Sequence, residues 1–252
     1  MLHSLPGTSA HFVLEICAYA IGAQIYWRAA GAQVLPPARG DRLSLLAGAI
    51  VGAFIGSKLL HLAEHLPALL QANDAALWLA GKSLVGGLLG GTLGVELAKR
   101  HIGWTRPTGD AWVPALAAGI IIGRMGCQVS GLWDLTYGSP TSLPWAWDYG
   151  DGIGRHPTAL YEMLLVALLW AGVTVAIKAA PGARFAAFLL GYCVIRFGLE
   201  LMKPPFGSTQ EATLPVATYA GLTAIQWAAA AGAAYFASSL HKRLARSALP
   251  GS

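Results

Sequence analysis

Charge is scarce in this 252-residue chain: 12% of its residues are charged, 55% are hydrophobic, and the mean hydropathy is +0.54. Ordinary soluble domains carry about twice that charge, so a water-soluble globular fold is excluded and a chain crossing a membrane several times is expected. Cysteine is scarce too. Cys17, Cys127 and Cys193 all fall in or beside apolar runs, which excludes a disulfide framework and reads as small buried hydrophobes. No basic segment precedes the first apolar run, and Glu15 interrupts that run, so no cleavable signal is expected. There is no internal repeat, which removes the main support for a transporter built from inverted halves. No Gly-rich phosphate loop joins a strand to a helix, so no nucleotide or redox cofactor is expected. The net charge of +5 lies between apolar runs, where membrane orientation accounts for it, and calls for no nucleic acid.

What is present is a series of apolar runs long enough to span a bilayer, each of about 20 residues. Seven are predicted, at roughly 9–28, 43–63, 76–98, 112–130, 158–178, 183–202 and 213–239. The chain therefore reads as all-α, a polytopic membrane protein with seven transmembrane helices forming a single integral membrane domain over 1–252. A loop at 131–157 joins helices four and five, and a tail follows at 240–252. With Gln33–Asp41 and Thr105–Asp110 as connections on one side, that side holds 11 of the 17 basic residues and a balance of +8, while the other side has −3. Asp74 and Glu211 count among the acids of the second side. The positive-inside rule then puts the tail in the cytoplasm, and the N-terminus and the 131–157 loop outside. The 31 glycines suit closely packed spans.

Ionisable residues at the edges of spans are functional candidates by default. Arg124 ends the run Gly119-Ile-Ile-Ile-Gly123, and Glu162 opens the fifth span. Tyr192, Arg196 and Glu200 recur every fourth residue, so they line one stripe of the sixth span. Lys58 and Lys82 are expected about a turn inside their spans. His156-Pro157-Thr158 opens the fifth span at the outer face, with Thr or His as cap, and its free N–H groups suit an anion. Arg124, Arg155 and Lys82 are expected to converge there on a phospholipid phosphate, arginine being favoured for its bidentate grip. A plainer reading makes Arg196 a structural tie to Glu200. In the loop, Trp133, Tyr137, Trp145, Trp147 and Tyr149 read as an interfacial belt or as a lid over a headgroup. His11, Glu15 and Tyr19 form a second stripe, with Lys82 or Arg196 as the partner of Glu15. His61-Leu-Ala-Glu64-His65 matches the inverted zinc-peptidase pattern. No third ligand outside it is visible, and interfacial side chains are the plainer reading, so no metal is expected.

Four segments together resemble one family. They are Gly123-Arg-Met-Gly-Cys127, the loop with Gly138-Ser-Pro-Thr-Ser-Leu-Pro-Trp145, Arg155-His-Pro-Thr-Ala-Leu-Tyr-Glu162, and the Tyr192, Arg196, Glu200 stripe. They are similar to prolipoprotein diacylglyceryl transferases, as is the Gly-rich stretch Lys82–Gly91. The resemblance runs in order over most of the chain. It implies a bacterial cytoplasmic (inner) membrane enzyme that moves a diacylglyceryl group from phosphatidylglycerol, or a related phospholipid, to the cysteine thiol of a prolipoprotein signal peptide.

The resemblance also implies site residues: Arg124 and Arg196 on the headgroup, with Tyr192 and Glu200 beside them. From their places at span edges, Lys82 and Arg155 are expected to add charge. Glu15, Asp134, Cys127, Tyr161 and Glu162 are supporting candidates. Three positions depart from the family pattern. Cys127 stands where Asn is usual, Leu132 where a loop Glu is usual, and Val85 where a His precedes the paired glycines of the third span. The lost His is a usual candidate for deprotonating the thiol. His156 is its nearest substitute by type, and Asp134 stands in for the Glu. A lipid transferase with a different acceptor, or a non-enzymatic lipid-binding protein, are the alternatives.

Overall fold

The structure is a computed structural model; it describes residues 7–31, 35–71, 78, 81–178, 180–204 and 215–248. Asp74, Glu211 and the start of the predicted third span lie outside the described residues. Among the described residues, seven long helices run in chain order: α1 (Gly7–Ala29), α2 (Arg39–Gln71), α3 (Leu84–His101), α4 (Trp112–Ser130), α5 (Thr158–Ala176), α6 (Ala183–Glu200) and α7 (Ala224–Ser247). A 3-10 turn, Gly131–Asp134, extends α4. Among the described residues, three helices have the length and composition to cross a membrane: Arg39–Gln71, Trp112–Asp134 and Thr158–Ala176. Beyond Glu162, helix α5 is apolar on every side, with Leu164, Leu168 and Val175 exposed, as a lipid-facing helix should be.

Helix pairing follows side-chain size. α2 lies along α3 through two rows of glycine, Gly48, Gly52 and Gly56 against Gly86, Gly90 and Gly94. A Cβ added to any of them would strike a backbone carbonyl of the facing helix, so the two backbones touch directly. α1 packs on α4 and α6 on α7, while the contacts of α4 with α5 and α5 with α6 join these pairs. The core between them holds Val85, Ile120, Val166, Phe188, Leu189, Tyr192, Ile225 and Phe236.

Four expectations are corrected. The third helix starts at Leu84, because Ser83 caps it by accepting from the Gly86 amide; Lys82 therefore precedes the helix. The last helix starts at Ala224, where Thr223 and Gln226 form a reciprocal capping box. Before it runs a hairpin, Thr218–Tyr219 with Leu222–Thr223, turned through Ala220 and Gly221 at positive φ. α7 in turn continues to Ser247, so most of the predicted tail is helical. Finally, neither His156 nor Thr158 caps α5: Pro157 occupies the cap position, and Thr158 donates to the Thr136 carbonyl at 2.5 Å.

The 131–157 connection is tightly tied to itself. Asp148 Oδ1 accepts from the amides of Gly150, Asp151 and Gly152, turning the chain so that Trp147–Asp148 pairs with Gly154–Arg155. The Ser139 amide donates to the Met202 carbonyl at 2.7 Å, which ties the loop to the end of α6.

Candidate active site

The centre of the site is one carboxylate. Glu162, in the first turns of α5, is 2% exposed. Its Oε2 lies 2.9 Å from Arg124 Nε of α4 and 3.4 Å from Arg196 Nη1 of α6, and its Oε1 accepts from the Tyr192 hydroxyl at 2.7 Å. Arg196 Nη2 reaches Glu200 Oε2 at 2.8 Å. The every-fourth-residue stripe of α6 thus faces α4 and α5, and three helices deliver two guanidiniums to one point. Two like charges side by side in a dry interior are tolerable only with such shared counter-ions. Glu64 of α2 and Lys203, just past α6, lie within electrostatic reach of the same network.

Arg124 and Arg196 form part of the wall of a cavity of about 1250 Å³. This exceeds the roughly 300–1,000 Å³ of pockets for compact ligands and leaves room for long chains. Small and apolar residues of α1, α2, α3 and α4 line it, among them Ala18, Gly22, Ala53, Phe54, Leu88 and Gly119. One end is polar. There Lys82 bonds to Glu15, which also accepts from the Tyr19 hydroxyl at 2.9 Å and lies 3.8 Å from His11 Nε2. His11 Nδ1 lies 3.2 Å from Asp134 Oδ1, and Asp134 Oδ2 accepts from Thr136 at 2.6 Å. Cys127 Sγ is 3.7 Å from Arg124 Nη1, and His11, Cys127 and Asp134 bring one ligand-type atom each within 4.8 Å of one another.

Three predicted site residues, Arg155, His156 and Tyr161, are elsewhere. Arg155 pairs in both arms with Asp151, at 2.7 Å each, and stacks 4.9 Å from the Tyr137 ring centre. Its hydrogen bonds hold the Asp151 carboxyl down at about 2, and the carboxylate in return raises the guanidinium's own pKa. His156 Nδ1 lies 3.4 Å from the Tyr161 hydroxyl, which accepts from Trp145 Nε1 at 2.7 Å. Neither His156 nor Arg155 is among the residues of the cavity wall, so Arg124, Arg155 and Lys82 do not converge at the start of α5. Trp145 and Trp147 are exposed, whereas Tyr149 is half-buried and donates to Gln128 at 3.1 Å; burial pushes its hydroxyl up to about 12. The reading of His61, Glu64 and His65 as interfacial side chains is overturned, since all three are buried. Glu162, a supporting residue by sequence, lies at the centre of this network; an acid in the second turn of an otherwise apolar helix was the available signal.

Buried arginines on the wall of a large, mostly apolar cavity characterise this helical membrane protein. The family model described as prolipoprotein diacylglyceryl transferase matches residues 11–237. The chain is 34% identical over 179 residues to a protein of Bordetella parapertussis, 33% over 183 to one of Methylibium petroleiphilum and 30% over 208 to one of Polynucleobacter asymbioticus. These matches cover 66%, 67% and 77% of this chain and the same shares of the relatives. Each relative is named phosphatidylglycerol–prolipoprotein diacylglyceryl transferase. The chain belongs to the prolipoprotein diacylglyceryl transferase family.

Proposed function

We propose that this protein transfers the diacylglyceryl group of phosphatidylglycerol to the cysteine thiol of a prolipoprotein signal peptide, releasing glycerol phosphate. The transfer takes place at the outer leaflet of the bacterial cytoplasmic membrane. The observation that carries this reading is Glu162 shared between Arg124 and Arg196 beside an apolar cavity. In this reading all seven helices span, with the N-terminus outside and the C-terminus in the cytoplasm.

The chemistry is a displacement at a tetrahedral carbon. Sulfur bonds to the glycerol carbon as its bond to the phosphate oxygen breaks, and the phosphate leaves with the electron pair. Arg124 and Arg196 grip the phosphate and stabilise the charge that grows on it. Glu162 and Glu200 hold the guanidiniums in register and give them up in part when phosphate arrives. The thiol proton needs an acceptor on the cavity wall. His11 meets that requirement better than His156, because it lines the cavity and Asp134 lies 3.2 Å from its other face.

The test is purified protein with phosphatidylglycerol and a lipobox peptide, scored for glycerol phosphate. His11→Ala is expected to lower turnover by about 10²–10⁴-fold, the usual range for losing a general base, with His156→Ala much milder. The reverse order would return the role to His156. A second reading, transfer to an acceptor other than a cysteine thiol, is favoured by Val85, Cys127 and Leu132 at positions where the family usually has His, Asn and Glu. Glycerol phosphate released with a serine peptide and not with its cysteine counterpart would select it.

A further inference from the structure

The second half of α2 carries a cluster that the transfer chemistry leaves unused. His61, Glu64 and His65 are 1%, 2% and 0% exposed. Among the described residues, His61 Nε2, Glu64 Oε1 and His65 Nε2 have no hydrogen-bond partner. Buried polar atoms are nearly always paired, so three orphans within five residues of one helix call for a ligand. The spacing puts them on one face. One ligand atom from each lies within 4.8 Å of the others, with His65 Nε2 3.9 Å from Glu64 Oε2 and the ring centres 4.8 Å apart.

The surroundings orient these groups toward each other. His65 Nδ1 is 3.3 Å from the Pro215 carbonyl oxygen. That oxygen only accepts, so Nδ1 carries the proton and the free lone pair is on Nε2, inside the cluster. The His61 ring occupies the space where a side chain at Gly81 would stand, and Gly81 has φ +64. Lys58 donates to the Gly81 carbonyl at 2.7 Å and fixes that close approach. The segment around Pro215 is held as well, since the Ala217 amide donates to the Glu64 carbonyl at 2.7 Å and the Tyr219 hydroxyl to the Ala63 carbonyl at 2.6 Å.

We propose that His61 Nε2, the Glu64 carboxylate and His65 Nε2 form a binding site for a divalent cation of the zinc class. Two imidazoles and one carboxylate are a zinc-type donor set, whereas calcium and magnesium take oxygen ligands. Tetrahedral ligands at zinc distances stand about 3.3 Å apart, so small rotations about the side-chain bonds close the present spacing. Three protein ligands leave a fourth position for water. Metal on Nε2 also strengthens the Nδ1–H bond to Pro215, so the ion clamps α2 to the 215–219 segment. This site stands whether or not the transferase reading does.

The experiment uses tag-free, detergent-purified full-length protein, stripped with a chelator, dialysed and titrated with Zn²⁺ and with Co²⁺. The expected result is one metal per chain by elemental analysis, a visible cobalt band of tetrahedral type, and a melting temperature that rises with Zn²⁺. His65→Ala and His61→Ala are expected to weaken binding at least about 10–100-fold. His11→Ala tests the rival set of His11, Cys127 and Asp134 and is expected to bind as the wild type does. Should an alanine variant fail to fold, Glu64→Gln, which keeps the side-chain volume, serves in its place. Absence of stoichiometric metal at 100 μM in the wild type overturns the proposal. So does binding lost only in His11→Ala, or unchanged binding in folded His65→Ala and Glu64→Gln.

Discussion

At the scale of single residues, Glu162 is the position on which most depends. Its removal leaves two guanidiniums facing each other in a dry interior, and breaking a buried pair from one side costs about 3–5 kcal/mol. Glu162→Gln is therefore expected to lower both melting temperature and turnover; unchanged thermal unfolding would show that Glu200 and the remaining acids suffice as counter-ions. Arg196→Lys keeps the charge but cannot span Glu162 and Glu200, which its two terminal nitrogens now reach separately. Loss of one charge-assisted bond, about 1.5–3 kcal/mol, corresponds to roughly a 10–150-fold fall in glycerol phosphate release. Wild-type rates at saturating lipid would reduce Arg196 to a structural tie. In the loop, Asp151 offers a pH test. Its folded value of about 2 lies below the ordinary 3.8, so the Arg155 pair is intact above the ordinary value and is lost as pH falls through the folded one. Amide exchange at Ile153, whose N–H donates to Asp151 Oδ1, corrected for intrinsic rates, is expected to stay flat from neutral pH to about 4 and rise below about 3. Asp151→Asn should show the fast rate at every pH.

At the scale of elements, the α2–α3 pair is the least tolerant of added volume. Gly52→Ala or Gly90→Ala would drive a methyl group into the facing backbone carbonyl. Overpacking of this kind costs about 1–3 kcal/mol, and backbone is a poor neighbour to push aside. Gly87→Ala meets nothing closer than 3.7 Å, and Gly123→Ala meets nothing within 4 Å. A denaturant titration in detergent is expected to separate the first two variants from the last two. Equal midpoints would mean that the helices slide apart at little cost. The glycine spacing in α3 was readable from the chain, but its partner was not, because α2 shows its glycines among larger residues such as Phe54 and Leu59.

For the whole molecule, orientation is the property most open to test. A reporter fused after Ser252 is expected to read cytoplasmic, and Ser142→Cys, exposed in the 131–157 loop, to label from outside above the background of the native cysteines. The charge balance of +8 against −3 motivates both. Labelling only after permeabilisation would invert the protein and move the site to the other leaflet.

The sequence by itself determined the all-helical class, the approximate places of the helices among the described residues, the α6 stripe and the family, because apolar period and span-edge charges are local properties of the chain. It mistook the ends of α3 and α7, where the side-chain oxygens of Ser83 and Thr223 rather than hydropathy decide the first turn. Tertiary structure alone decided which charges meet. Arg155 and Lys82 carry the same sign as Arg124 and sit on the same predicted side, yet Asp151 and Glu15 engage them apart from Arg124 and Arg196. Glu162 became the centre because α4, α5 and α6 converge on it, and helix convergence depends on packing between segments far apart in the chain.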